Sequence, residues 1–193
     1  MEEKFEVSDI LTGRPDREIS DKEKDCYDML EKLGIYYERV EFNIFPETLE
    51  DLSKSDEKLK MPGIKNLMFK TKNGSQFFLL VLARNEKLDI KEFRGKHGIP
   101  KIEMAKDSDL ENILNTHSGA VSITELMYDK DNKIKLFIDE KLLEGEYMRF
   151  HPNENLSTVK IKMKDFKEKL IPYLEHEINI LYVYNVLIIS NVC

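Results

Sequence analysis

Two cysteines, Cys26 and Cys193, are all that this 193-residue chain contains, too few for a disulfide framework and without the spacing of a metal-ligand set. The four histidines, His97, His117, His151 and His176, also lack metal-site spacing. No glycine-rich phosphate loop precedes a Lys-Ser/Thr pair, and no G-x-S-x-G elbow occurs. The opening MEEKFEVSDI has no apolar h-region, so no secretory signal is expected and the chain reads as cytoplasmic. INILYVYNVLIISNVC, residues 178–193, is strongly apolar but interrupted by Asn179, Asn185 and Asn191. A membrane span needs about 20 apolar residues, so no membrane partner is expected. Metal, nucleotide-loop and serine-elbow chemistry are thereby set aside, and no cofactor is expected.

What is present suits a globular protein: 41% hydrophobic and 35% charged residues, with length enough for one ordinary core. No repeat or Gly/Ser linker divides the chain. The expected organisation is an acidic extension over 1–20, one domain over 21–175 and an apolar tail over 176–193. The tail is expected to pack as a terminal strand or helix, or to pair two copies of the chain. The net charge of −7 is unevenly spread. Residues 1–59 hold 9 Lys/Arg against 18 Asp/Glu, residues 60–106 hold 11 against 4, and residues 107–193 hold 10 against 15. A basic central third can meet a phosphate backbone locally, although its cations could equally decorate solvated helix faces. Lys87, Lys91, Arg94 and Lys96 are the candidates for such a contact.

Periodicity predicts mixed α/β structure. Ser20 and Asp21 cap a helix reaching about Leu33 and stopped by Gly34. IYYERVEF is a strand, and Pro46 opens a short helix carrying Leu49 and Leu52. In GIKNLMFKTKNGSQFFLLVLA, residues 63–83, Asn73-Gly74 signals a tight hairpin with positive φ at both central positions. The run from Phe77 to Ala83 predicts a strand buried on both faces. Helices follow around 89–96 and from Asp107 or Ser108 to Leu114. GAVSIT, KIKLFID, YMRFHP and STVKIKM are strand-like, and Lys164 to about Leu174 is a last amphipathic helix. Cys26 is expected as a small core residue and His117 as a loop residue.

Polar residues cluster at strand ends: Lys65-Asn66, the GAVS turn at 119–122, Asp129 and His151. These segments, in this order, resemble the bacterial prolyl-tRNA editing domain family, the YbaK-like trans-editing proteins, over roughly residues 24–174. LEKLGIYYERVEF resembles the family's opening helix and strand, and GIKNLMFKTKNGSQFFLLVL its Lys-Asn-Leu-Phe strand and hairpin. GAVSITELMYD stands where the family carries Gly-Ser-Val-Thr-Pro and an Asn-Asp pair. FIDEKLLEGEYMRFHPNENLSTVKI resembles its Asp-ending strand and Phe-His-Pro…Thr segment. The implied fold is a single α/β domain whose mostly antiparallel, barrel-like mixed sheet is surrounded by helices.

The implied activity is that of a metal-free trans-editing hydrolase, closest to the branch that frees alanine from mischarged tRNA(Pro). Its partners would be the tRNA(Pro) acceptor end and prolyl-tRNA synthetase. A synthetase pocket shaped for proline rejects a smaller amino acid poorly, because one methylene is worth only about 1–3 kcal/mol. By resemblance, Lys65 would hold the terminal adenosine or its phosphate, and Asn66 would bond the substrate. Gly119 and Ala120 would offer backbone N–H groups to the scissile carbonyl. His151 would orient water or contact the α-amino group, with Ser122 and Asp129 lining the substrate site. Read without the family, Lys65 is a strand-edge lysine that discourages sheet pairing. The family's Thr-Pro is Ser122-Ile123 here, and Tyr128 replaces the asparagine before Asp129. Those departures leave open removal of cysteine, serine or threonine, and also a non-catalytic module that binds a tRNA end or an amino-acid-like ligand.

Overall fold

The computed structural model describes residues 4–183. In chain order the elements are β1 (Leu11–Thr12), α1 (Asp21–Lys32), β2 (Tyr37–Glu41), α2 (Leu49–Leu59), β3 (Ile64–Thr71) and β4 (Phe77–Ala83). They continue with α3 (Ile90–His97), β5 (Ile102–Met104), α4 (Asp107–Leu114), a 3-10 turn (Ile123–Tyr128) and β6 (Ile134–Asp139). The short α5 (Glu140–Leu143), β7 (Tyr147–Phe150), β8 (Ser157–Lys162), α6 (163–173) and β9 (Ile178–Leu181) complete the chain, and α6 contains a π-helical turn at Phe166–Leu170.

Two sheets replace the single barrel-like sheet expected from the resemblance. One is four-stranded and antiparallel in the order β1-β2-β8-β7; the other is five-stranded and mixed, β5-β3-β4-β6-β9. In the second sheet β4–β6 and β6–β9 run parallel, and β3 pairs antiparallel with both neighbours. The main core lies between the sheets: Leu79 and Val81 of β4 and Leu136 and Ile138 of β6 meet Met148, Phe150, Val159 and Ile161, with α1, α4 and α6 closing the sides. Phe78, Leu80, Leu82 and Phe137 point the other way and pack against Phe93 of α3. That double burial is why β4 carries an uninterrupted apolar run. A third, small cluster of Phe5, Val40, Phe42 and Leu59 fastens α2 to β2.

Local signals account for most boundaries. The Ser20 side chain accepts from Glu23 N at 3.2 Å and starts α1, and Asp89 does the same for α3. Gly98, at φ +62°, ends α3. Thr48 and Asp51 form a reciprocal capping box, so α2 begins at Leu49 rather than at Pro46 and runs further than expected. The 71–76 loop departs from the two-residue turn: only Gly74 takes positive φ. Asn73 instead turns its side chain inward to accept from Ser75 N and the Thr71 hydroxyl. GAVSIT forms no strand, because Ser122 and Glu125 cap a 3-10 turn. Residues 4–14, set apart by composition, add β1 to the sheet edge and bury Phe5. The tail contributes β9 alongside β6, and its expected role beyond Val183 lies outside the described residues.

Candidate active site

The two sheets leave a cleft where their ends meet, at the start of β3, the end of β7 and the start of β8. Its outer part, about 330 Å³, is bordered by Leu49, Lys65, Asn66, Gly119, Val121 and His151 among others. An inner recess of about 80 Å³ continues past Asn66 and His151 to Arg149, Phe150 and Thr158. Leu52 and Pro46 roof both parts. No carboxylate lines either part, whereas Lys65, Arg84 and Arg149 do.

Asn66 sits on β3 opposite Val81, and its alternation points it toward the inter-sheet side. Its Nδ2 donates to the Val121 carbonyl at 2.8 Å. His151, just beyond β7, meets the same carbonyl with Nε2 at 3.0 Å. A carbonyl only accepts, so Nε2 carries the proton and Nδ1 keeps its lone pair. Burial pushes the ring's pKa down to about 4, against the Val121 hydrogen bond that favours the charged form, so the imidazole is neutral. His151 Nδ1 and Asn66 Oδ1 are both closed to solvent and lack a partner among the described residues. Both acceptors belong to residues that line the cleft, and each is a buried polar group whose hydrogen-bonding capacity is unmet.

Gly119, at φ +86°, lines the same outer cleft, and nothing lies within 4 Å of where a Cβ would be. Its carbonyl accepts from Asn155 Nδ2 at 3.0 Å, fixing the loop to the segment after His151. Its N–H has no partner among the described residues. The Ala120 N–H is differently placed: it donates to the His117 carbonyl at 3.1 Å, and the residue is buried.

Lys65 borders the outer cleft, but its ammonium turns to the turn after β4, donating to the carbonyls of Arg84 (3.0 Å) and Glu86. Ser122 lies behind the cleft wall, fully buried, and donates to the His151 carbonyl at 2.6 Å. Asp129 borders a separate cavity with Leu126 and Pro172. Its carboxylate accepts from Lys133 N, Ile134 N and His176 Nε2. Burial opposes its ionisation, but those bonds prevail and hold its pKa below the usual carboxylate value. Lys87, Lys91, Arg94 and Lys96 lie in and before α3, and none lines the cleft. Arg94 Nε donates to the Pro100 carbonyl, and Lys96 Nζ sits 3.5 Å from the Tyr182 ring centroid.

The cleft also recruits residues that the sequence reading passed over. Asp56 of α2 receives Arg84 through both terminal nitrogens, at 3.1 and 3.2 Å, and Arg149 at 2.8 Å. Arg149 further donates to Ser55 Oγ and the Met61 carbonyl. An arginine alternating with Met148 and Phe150 looks solvent-facing in sequence; here it faces α2 instead. Gly63 was the available signal for Arg84, because hairpin register sets Arg84 N on the Gly63 carbonyl at 2.8 Å. Cys26 is fully buried and burial raises its thiol pKa, so it is no nucleophile. Among the described residues no group of three metal-ligating side chains occurs.

The family model described as the aminoacyl-tRNA editing domain matches residues 47–169. The chain is 29% identical over 142 residues to the prolyl-tRNA editing protein ProX of Acetoanaerobium sticklandii, covering 74% of this chain and 85% of that protein. It is 25% identical over 142 residues to the mouse prolyl-tRNA synthetase associated domain-containing protein 1, covering 70% and 83%. Among solved structures, a candidate trans-editing enzyme for prolyl tRNA synthetase superposes with a TM-score of 0.61 at 14% identity, covering 87% of this chain and all of that one. A protein used as a scaffold for epitope grafting gives 0.63 at 13%, covering 88% and 100%. At such identities the structures establish the shared fold alone.

Proposed function

Because the chain belongs to the aminoacyl-tRNA editing domain family, we propose that it is a trans-acting deacylase that hydrolyses mischarged tRNA(Pro). The observation that carries this reading is the pair of unpartnered acceptors, Asn66 Oδ1 and His151 Nδ1, on residues that line one cleft together with Gly119. An aminoacyl ester presents an α-ammonium donor next to a carbonyl that becomes an oxyanion. The acceptor pair suits the ammonium and the Gly119 N–H suits the oxyanion. Ala120, whose N–H is engaged in the turn, supports the loop rather than donating.

The ester is already activated, so the site's task is to hold it and to place a water molecule. Neutral His151 makes no charge repulsion with an incoming ammonium. Asn66 and His151 together fix the Val121 carbonyl and with it the loop that carries Gly119. Ser122 acts on His151 through its carbonyl as a positioning residue. Lys65 fixes the turn at residues 84–86. The inner recess of about 80 Å³ suits a side chain as small as alanine and has little room for the proline ring. Cysteine, serine and threonine are the competing substrates.

The test is deacylation of Ala-, Cys-, Ser- and Pro-charged tRNA(Pro) by the purified protein beside Asn66→Ala and Lys65→Ala. Alanine should be lost while proline is spared. Asn66→Ala should slow hydrolysis by about 10-fold or more, the scale of losing one hydrogen bond to a charged group. Preferred loss of another small amino acid would keep the reaction and change the substrate. Intact binding without hydrolysis of any ester would leave a binding module.

A further inference from the structure

We infer that Arg84 forms an anion site, where the outer cleft meets the inner recess, for the phosphodiester preceding the terminal nucleoside of the bound RNA. The inference extends the proposed function and takes from it only that an RNA 3′ end enters this cleft. Arg84 lines both the outer cleft and the inner recess, so it stands where the reacting ester and the chain leading to it diverge. Of the five N–H groups of a guanidinium, two are given to Asp56 among the described residues. The others remain to bind an anion in the bidentate manner that favours arginine over lysine.

Three features hold the group ready. Asp56 grips Arg84 from one side. Lys65 fixes the Arg84 carbonyl, and with it the point where the side chain leaves the backbone. Gly63 supplies the space: a Cβ there would lie 1.9 Å from Arg84 Nη2, so the guanidinium rests against bare backbone. The local charge also fits. Arg84 and Arg149 share a single carboxylate, Asp56, with Lys65 adjacent, which leaves an excess of positive charge in a cleft whose lining contains no acid. An α-ammonium alone would not call for that excess. A phosphate on the same ligand would.

The experiment is a binding measurement, so it does not depend on catalysis. A fluorescent acceptor-stem RNA with a single-stranded CCA end is titrated into wild type, Arg84→Met and Gly63→Ala. The same RNA with its last internucleotide phosphate replaced by a neutral methylphosphonate is titrated in parallel. Wild type should bind the neutral RNA about tenfold more weakly, the scale of one charge-assisted bidentate contact. Arg84→Met should bind both RNAs alike, at the weaker level. Gly63→Ala, which displaces the guanidinium while keeping its charge, should lose most of the discrimination, and circular dichroism should show its fold retained.

Equal discrimination by wild type and Arg84→Met would overturn the assignment, as would a wild type that ignores the substitution or binds neither RNA. Asp56→Asn frees Arg84 of its partner and should preserve or sharpen discrimination; its loss there would instead mark the network as scaffolding. A protein that discriminates but hydrolyses no ester would refute the deacylase reading and keep this site. One that hydrolyses without discriminating would do the reverse.

Discussion

At the scale of single residues, the most informative group is His151. Its folded pKa, about 4, lies below the ordinary 6.5 because burial penalises the imidazolium. The unfolded chain therefore takes up a proton near pH 6.5 that the folded chain refuses until about pH 4. Stability from this group is present above the unfolded value and falls as pH drops through that window. At about 1.4 kcal/mol per unit, acidification from 6.5 to 5 removes at most about 2 kcal/mol. Chemical denaturation at pH 7 and pH 5 should show that loss in wild type and a smaller one in His151→Phe. Ring NMR should report the neutral Nε2–H form across the same range. A ring that titrates near 6.5 would mean that Nδ1 is not sealed from water, and would remove the acceptor from the proposed site. Asp129 acts elsewhere on the pH axis: its depressed carboxylate supports the fold above its ordinary 3.8 and loses that support only at more acidic pH. His151 and Asn66 were visible in the sequence through the family resemblance. Arg84, Arg149 and Asp56 were not, since their roles arise from α2, β4 and β7 meeting in space, and each separately resembles a surface charge.

Among the elements, α2 matters most because it roofs the cleft while standing outside the main core. Its inner face brings Leu49 and Leu52 to the cavity and Ser55 and Asp56 to Arg149. Its outer attachment is the small cluster of Phe5, Val40, Phe42 and Leu59, helped by Lys54 Nζ 5.2 Å from the Phe5 ring centroid and by Lys58 bonded to Asp9 at 2.7 Å. Few buried apolar contacts make such an element the part that opens first. Phe5→Ala removes one of the cluster's two aromatic rings, and truncation of a well-buried phenylalanine costs about 3–5 kcal/mol. The expected result is faster amide exchange throughout α2, with β4 and β6 still protected, together with weaker discrimination against larger amino acids. Exchange that accelerates equally in β4 would show one cooperative unit and refute a separately anchored roof. The helix itself was legible from Pro46, Leu49 and Leu52, but its anchorage was not. The first residues look acidic and expendable by composition, and it is the antiparallel bridge of Val7 to Phe42 that brings Phe5 into the cluster with Leu59 of α2. GAVSIT misled for a related reason: alternation suggested a strand, and the buried cap between Ser122 and Glu125 decided for a 3-10 turn.

Across the whole molecule, charge is separated in sequence and also by structure. The basic segment 60–106 builds β3, β4, α3 and β5, so its cations gather around the five-stranded sheet while acidic residues dominate either side. Lys87 follows Glu86, whose carbonyl Lys65 holds, and Lys91 begins the exposed side of α3. An RNA end in the cleft would therefore continue toward α3, over a protein whose net charge is −7. Local attraction then has to act against overall repulsion, which makes binding strongly dependent on salt. Lys91→Glu is the cleanest probe, because Arg94 also donates to the Pro100 carbonyl at the end of α3 and Lys96 stacks on Tyr182. If Lys91 meets a phosphate, the variant should weaken RNA binding for every sequence and lower the slope of log affinity against log salt by about 1. Charge reversal at Lys24 on α1, within the acidic first third, provides the control and should leave the slope in place. An unchanged slope for Lys91→Glu would place the acceptor stem elsewhere, leaving the cleft residues alone to hold the RNA end.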